Sequence, residues 1–223
     1  MFRKILGMSA LVLSTMSTAP ASPMPIVGVT ATTNMGEGFN TRIDNIVDGS
    51  GLITYLPNGS KLQTYSPAAW HERGVIGNAW GSNAGITSGK ITFNFHGNYD
   101  IPGLAVWNTN AANIWGVKDV TIYKSINGID FLPLLGAPDH FKIGKNGGSG
   151  ESPDELAEIF SFTDQVASFI RFDIHNNYGG IGISLSEVMF LGSPAPIPVP
   201  GAAWLFGSGL LGVLGFKRRS NIG

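Results

Sequence analysis

The residue types that commonly perform chemistry are sparse in this chain of 223 residues and form no recognisable catalytic pattern. Its four histidines, His71, His96, His140 and His175, have none of the spacings typical of metal ligands. No nucleophile elbow is visible, carboxylates are few, and the sequence alone cannot place any pair of them at the separation that glycoside hydrolysis needs. A glycine-rich dinucleotide pattern at residues 207–212 lies in an apolar tail with no strand before it, so it is spurious. We therefore expect no catalytic activity.

Aromatic residues that stand among amides and cations indicate another kind of chemistry, the recognition of sugars. An exposed ring can stack on the apolar face of a sugar while nearby amide and charged groups bond to its hydroxyls. Two segments combine these residue types: His71, Arg73, Asn78 and Trp80 in the first, and His175, Asn176 and Tyr178 in the second. We predict that they line a binding site, although tryptophans are more often core residues and the second segment also suits an ordinary turn.

The sequence around Trp80 and Trp107 predicts different degrees of burial for these two side chains. We expect Trp80 to be exposed, because Asn78 and Gly81 on either side favour a turn. Trp107 ends an apolar segment that begins at Leu104, so we assign it to the core.

The elements that position these segments are predicted to be β-strands. Apolar and polar residues alternate over residues 91–95, 120–123 and 170–174, which is the period of a strand with one buried face. Glycine, asparagine and proline separate these runs, and Asn127-Gly128 predicts a tight turn. Only residues 153–159 have a helical pattern, and it is short. Many short strands with turns between them predict an all-β sandwich or jelly roll.

Residues 1–21 have the composition of a secretory signal peptide. Arg3 and Lys4 give a positive start, an apolar uncharged stretch follows, and Ala19 and Ala21 are the small residues expected before a cleavage site. We place the cut after Ala21, because a cut after Ala19 would leave Pro20 next to it.

Residues 194–223 form a second terminal segment with its own pattern. Four prolines between 194 and 200 predict a stiff extended linker. Residues 201–216 carry no charge, and Lys217, Arg218 and Arg219 follow directly. As a helix this apolar stretch would span roughly 24 Å, slightly less than a hydrocarbon core. The basic cluster marks the cytoplasmic side, so the tail is predicted to enter the inner membrane with its carboxyl end inside.

The remaining residues, 22–193, have the size of one domain. Removing the ends leaves 9 basic and 15 acidic residues, a net charge of −6. An acidic domain without a basic stripe argues against nucleic acid and anionic lipid as partners. The chain has no cysteine, so an exported domain must be held together by its core or by a metal.

Two stretches of this domain resemble the discoidin family, which includes coagulation-factor C-terminal domains and many bacterial carbohydrate-binding modules. Residues 116–131 are similar to the family's unit of strand, serine, turn glycine and phenylalanine, and residues 167–180 with 185–190 resemble its closing strands. The resemblance implies an eight-stranded galactose-binding-like jelly roll that binds carbohydrate. Residues 51–88 are longer and less regular than the family pattern.

The discoidin resemblance also implies a structural Ca²⁺ site. It brings together Asp48, in an Asp-Gly turn near the start, and Glu187, near the end, and Thr54 or Ser50 would add an oxygen. Carboxylates, carbonyls and hydroxyls suit this hard cation. The alternative is that Asp48 makes an Asx-turn and Glu187 faces solvent.

The tail resembles a different family, the PEP-CTERM sorting signals. Pro198, Val199 and Pro200 stand where many members have Pro-Glu-Pro, and the apolar segment and basic end follow in the family's order. The resemblance implies processing by an exosortase, a membrane transpeptidase of Gram-negative bacteria that make exopolysaccharide, with only transient residence in the inner membrane.

Together these patterns predict an exported, non-catalytic protein of the cell surface or extracellular matrix that binds polysaccharide. The alternative is a structural protein of a biofilm or surface layer without a specific ligand.

Overall fold

The computed structural model of the chain describes residues 23–73, 77–109, 113–144 and 154–196. The predicted signal peptide, residues 1–21, and the sorting motif at Pro198, Val199 and Pro200 with the apolar segment after it lie outside these ranges. Within them, no helix is long and apolar enough to cross a membrane.

The described residues form twelve strands and two short 3₁₀ turns. In chain order they are β1 (Met24–Pro25), β2 (Thr30–Thr33), η1 (Ile43–Ile46), β3 (Leu52–Tyr55), β4 (Lys61–Gln63), β5 (Trp70–His71), β6 (Trp80–Gly81), β7 (Gly89–Asn108), η2 (Asn113–Trp115), β8 (Val120–Ser125), β9 (Leu132–Pro133), β10 (Glu155–Leu156), β11 (Glu158–Ile174) and β12 (Ser184–Pro194). The all-β prediction is confirmed.

Two long antiparallel strands, β7 and β11, organise the main sheet. Its order is β1-β12-β7-β11-β8-β9, with β2 beside β7 and β6 beside β12. The register between β7 and β11 shifts from Ala167 opposite Tyr99 to Phe169 opposite Asn94, so extra β7 residues bulge at this point. His96 lies in the bulge with φ of 56°, and its amide donates to the Asn94 side chain at 2.8 Å. Both strands bend here.

The bend folds the sheet into a sandwich whose core is rich in phenylalanine. Phe93 and Phe95, before the bend of β7, contact Phe190 of β12 with ring centroids 4.9 and 5.0 Å apart. Because β12 pairs with the part of β7 after the bend, these contacts show that the two halves of the sheet face each other. Phe172 of β11 joins the cluster, 5.0 Å from Phe93.

A second sheet covers the outside of the sandwich. It contains four strands in the order β10-β5-β3-β4 and accounts for much of the segment that is longer than the discoidin pattern. Leu52 and Ala69 pack against Ala105, Trp107 and Met189 of the main sheet. Trp107 is buried, as predicted, and its indole N–H donates to the Ala69 carbonyl at 3.1 Å.

The sandwich has two distinct ends. At the first end, which we call the loop end, lie both ends of the bent strand β7, the first residues of β8 and β12 and the last residues of β11. The surface of the loop end is formed by residues 34–42, 82–88, 113–119, 139–142 and 175–183. At the bend end lie residues 96–99, 125–132 and 161–168 together with the chain exit at 194–196.

Residues 154–159, where a helical pattern was predicted, are instead extended.

Candidate functional site

Trp80 is a core residue, and the prediction that it is exposed was wrong. Its side chain is 0% exposed, and its indole N–H donates to the Gly36 carbonyl at 2.9 Å. Its strand pairs with Leu185, and the loop that contains Gly36 covers the ring. The turn residues around Trp80 mark the ends of a very short strand, so they do not indicate exposure of the ring.

His71 is also buried, which removes it from any accessible sugar site. Its Nδ1 lies 2.5 Å from the Glu72 carbonyl oxygen, and burial lowers the pKa of the imidazole. Arg73 is exposed and accepts a 3.1 Å hydrogen bond at its carbonyl from the Asn78 amide. Asn78 lines a shallow groove of about 350 Å³ with Gln63. His71, Arg73 and Asn78 therefore belong to the second sheet and its border, whereas Trp80 belongs to the main sheet.

The second predicted segment forms part of a polar cluster at the loop end, which we define as Asp119, His140, His175, Asn176 and Tyr178. The Asn176 amide donates to the Asp119 carboxylate at 2.7 Å and accepts from the Asp119 N–H at 3.1 Å. His140 Nδ1 lies 3.1 Å from the same carboxylate. Hydrogen bonds from Asn176 and then His140 lower the pKa of Asp119, so the cluster presents an ionised carboxylate.

Tyr178 closes the polar cluster on its other side. Its hydroxyl lies 3.1 Å from His140 Nε2 and donates to the Phe141 carbonyl. Burial raises the pKa of Tyr178, so the hydroxyl remains protonated at neutral pH. His175 Nε2 lies 2.8 Å from the Thr121 hydroxyl at the exposed edge. The cluster thus offers donors and acceptors in fixed positions.

An aromatic pair lies at the same end of the sandwich, and the sequence analysis did not identify it. The rings of Phe39 and Trp115 are 4.9 Å apart between centroids and tilted by 49°. Phe39 is 50% exposed and Trp115 is half-buried. Phe39 has a φ of 58°, which bulky residues rarely adopt. Backbone of this kind persists where the surrounding structure holds it, commonly at functional sites.

One loop, residues 175–183, joins the polar cluster to the aromatic pair. The Asn177 amide donates to the carbonyls of Gly180 and Gly182 at 2.8 and 2.6 Å. Gly180 lies against the Trp115 ring so closely that an added Cβ would stand 2.7 Å from the indole nitrogen. Exposed aromatic surface and hydrogen-bonding groups are therefore neighbours, and this arrangement can stack on a sugar ring and bond to its hydroxyls.

The predicted metal residues Asp48 and Glu187 lie close together on the other side of the main sheet. Glu187 is 0% exposed, so the alternative that it faces solvent was wrong. One of its oxygens accepts the Gly49 amide at 3.3 Å, and the other has no hydrogen-bond partner among the described residues. Burial and the nearby Asp48 charge raise the pKa of Glu187 well above its usual range. Asp48 also makes the Asx-turn, accepting the Ser50 amide at 2.8 Å.

Thr54 has no visible connection to this carboxylate pair. It lies in β3 opposite Leu62, and no hydrogen bond found in the described ranges links it to Asp48 or Glu187. In the same ranges, no group of three or more histidine, aspartate or glutamate side chains could hold a metal. Further ligands would have to come from backbone carbonyls or hydroxyls.

Comparison with known proteins shows which solved structures have a fold similar to that of this chain. No protein-family model and no curated protein matches the chain. Among solved structures, the family 32 carbohydrate-binding module of Clostridium perfringens NanJ, in complex with galactose, matches with a TM-score of 0.50 and 13% identity. The match covers 76% of this chain and 98% of that module. The fold is similar to that of a family 32 carbohydrate-binding module.

Two further structures match at slightly lower TM-scores. A chitosan-binding module of a Paenibacillus sp. IK-5 chitosanase/glucanase has a TM-score of 0.46 and 17% identity over 74% of this chain and 96% of the module. A family 89 glycoside hydrolase from C. perfringens has a TM-score of 0.49 and 18% identity over 79% of this chain. The chain spans only 15% of that hydrolase. At these identities the likeness concerns the fold.

Proposed function

We propose that this protein binds polysaccharide without catalysis, at the loop end of the sandwich. The observation that carries the proposal is the exposed Phe39–Trp115 pair, which the loop of residues 175–183 joins to the polar cluster. The similarity to modules whose names describe carbohydrate binding supports it. The acidic domain and the ionised Asp119 favour a neutral or cationic sugar polymer over an acidic one.

Single-site affinity is expected to be weak. A flat aromatic surface contacts few sugar hydroxyls and must displace much water, so we expect a Kd near the millimolar scale, about −4 kcal/mol. Many copies of the domain on one polymer would bind more tightly through avidity.

The proposal can be tested by affinity electrophoresis of the protein through gels that contain a galactose polymer, chitosan or no polysaccharide. Retardation by a polymer is expected, and Trp115→Ala should weaken it by about tenfold, in line with the loss of one stacking interaction. Tyr55→Ala is a matched control, because Tyr55 is also exposed but lies in the second sheet. Equal retardation of wild type and Trp115→Ala would place the site elsewhere. No retardation by either polymer would favour the structural alternative.

We further propose that Asp48 and Glu187 hold a structural Ca²⁺. The support is chemical: a fully buried carboxylate with one unpartnered oxygen stands next to a second carboxylate. Calcium prefers carboxylate and carbonyl oxygens, and Ser50, whose amide already bonds to Asp48, is the better placed of the two hydroxyl candidates. When bound, the ion would offset the repulsion between the two carboxylates and connect β12 to the turn at Asp48.

The export route is the third part of the proposal. The support is the sequence order of the two ends: a signal peptide at residues 1–21, and Pro198, Val199 and Pro200 followed by an uncharged segment and a basic cluster. We assign the protein to the cell surface or extracellular matrix of a Gram-negative bacterium, with exosortase and the inner membrane as transient partners during sorting.

A further inference from the structure

A second surface stands out at the bend end, far from the polar cluster along β8. We call it the hairpin patch and define it as Ile126, Ile129, Leu132, Leu135 and Val166. Ile126 is 66% exposed and Ile129 is 81% exposed. Ile126, Leu132 and Val166 line one groove of about 450 Å³. A group of large exposed apolar side chains around one groove is typical of an interaction site.

The turn that carries the patch is well ordered by hydrogen bonds. The amide of Gly128 donates to the Ser125 hydroxyl at 3.0 Å, and the amides of Ile129 and Asp130 donate to the Asn127 side chain, both at 2.9 Å. These hydrogen bonds and the turn conformation require only Ser125, Asn127 and Gly128. The isoleucine side chains at its tip therefore contribute nothing to the turn itself and project apolar surface into solvent.

The polypeptide leaves the domain beside this patch. Ser193, Asp100 and Val166 lie opposite one another on three adjacent strands, so the exit strand is about 10 Å from Val166 at the usual strand spacing. The Ala195 amide still donates to the Asn98 carbonyl at 2.9 Å. The position of the chain is thus defined up to Pro196.

The distance from this exit to the uncharged tail is limited by covalent geometry. Five residue steps separate Pro196 from Gly201, and at 3.8 Å each they reach at most about 19 Å whatever their conformation. If residues 201–216 lie in a bilayer, as the proposed sorting signal requires, the bend end must lie close to the lipid surface.

We infer that the hairpin patch rests against the membrane surface while the tail is still in the bilayer. The inference depends on the proposed membrane tail. The groove is flanked by one positive and one negative side chain, Lys124 and Asp130, a combination that suits zwitterionic phospholipid headgroups. Apolar insertion, not attraction to anionic lipid, would hold an acidic domain in this position. The loop end then faces away from the membrane, where polysaccharide is accessible.

Site-directed labelling of the full chain tests this inference, and it is simple because the chain has no cysteine. Nitroxides are attached separately to Ile129→Cys, Ile181→Cys and Ser208→Cys, and each protein is reconstituted into phosphatidylcholine vesicles. Ile181 is a matched control, since it is an exposed isoleucine at the loop end. Collisions with oxygen report lipid contact, and collisions with a water-soluble nickel chelate report water contact.

We expect the label at 129 to be several-fold less accessible to nickel and more accessible to oxygen than the label at 181. Similar values at 129 and 181, with the label at 208 in lipid, would overturn the docking of the patch but leave the membrane tail intact. A water-accessible label at 208 would overturn both. Strong spin–spin broadening at 129, with no gain in oxygen contact, would assign the patch to a second copy of the chain instead.

Discussion

At the residue scale, Trp80 and Trp115 lie on opposite sides of the boundary between core and solvent. Trp80→Ala should lower the free energy of unfolding by about 3–5 kcal/mol, because it leaves a cavity in a packed interior. Trp115→Ala removes a half-buried ring and should cost roughly 1 kcal/mol or less, while it weakens polysaccharide binding. Urea denaturation combined with affinity electrophoresis separates the two effects. A large loss of stability in Trp115→Ala would make that residue a core residue as well.

The burial of His71 leads us to predict that the free energy of unfolding depends on pH. Its burial lowers the pKa of the imidazole below the usual value, so the unfolded chain binds a proton more readily than the folded one. The stabilising contribution is therefore complete above about pH 6.5 and decreases as the pH falls through the unfolded pKa toward the lowered folded one.

Urea denaturation between pH 7.5 and 5.5 should show that wild type loses more stability than His71→Gln as the pH falls. The raised pKa of Glu187 acts in the opposite direction, but it does so equally in both proteins, so the difference between them reports His71. The matched control is His175→Gln, which alters an exposed histidine at the loop end, and the effect of the His71 change is read against it. An identical slope in wild type and His71→Gln would contradict the prediction.

The residues of the candidate site were only partly predictable from sequence. His175, Asn176 and Tyr178 are neighbours in the chain, so their proximity followed from the segment itself. Asp119 and His140, which complete the polar cluster, approach from other loops, and Phe39 meets Trp115 across 76 positions of sequence. Whether Trp80 is buried depends on the Gly36 loop, 44 residues earlier. Local patterns contain no information about such partners.

At the element scale, the alternation of apolar residues correctly predicted strands within β7, β8 and β11, because a period of two directly reflects one buried face. It did not predict that β7 continues for 20 residues. Gly97, Pro102 and Gly103 lie within this strand, although glycine and proline usually weaken or interrupt strands. In the structure both neighbours of β7 shift register beside Pro102, and the irregularity accommodates its missing N–H.

The link between β12 and the Asp48 turn yields the calcium prediction. An ion that binds only the folded state stabilises it by about 2.7 kcal/mol at a hundredfold excess over Kd, or roughly 5–10 °C in Tm for a domain of this size. Adding EDTA should therefore lower the Tm of the wild type, and Asp48→Asn should abolish the difference between Ca²⁺ and EDTA. Ser66→Ala, on the border of the second sheet, should retain it. A melting curve that chelation does not move would exclude a tight site.

At the scale of the whole molecule, the two ends of the chain predict its processing. Intact-mass measurement of the protein released from the cell surface should show neither residues 1–21 nor the Lys217-Arg218-Arg219 end. Replacing Pro198 and Pro200 with alanine should impair carboxyl-terminal processing, while near-ultraviolet circular dichroism of the domain stays the same. Full-length chain recovered from the cytoplasm would contradict export.

The pairing of β1 with β12 determines when the domain can fold. Met24 lies opposite Gly192, and β12 also fills the place beside β7 and contributes Phe190 to the aromatic core. A polypeptide that crosses a membrane with its amino end first delivers β12 last. Until those eleven residues arrive, an edge of β7 is unpaired and the two halves of the main sheet cannot close over the core. If the chain is exported as proposed, it must therefore be kept from aggregating throughout its passage, and its folding is completed only once β12 has left the translocation channel.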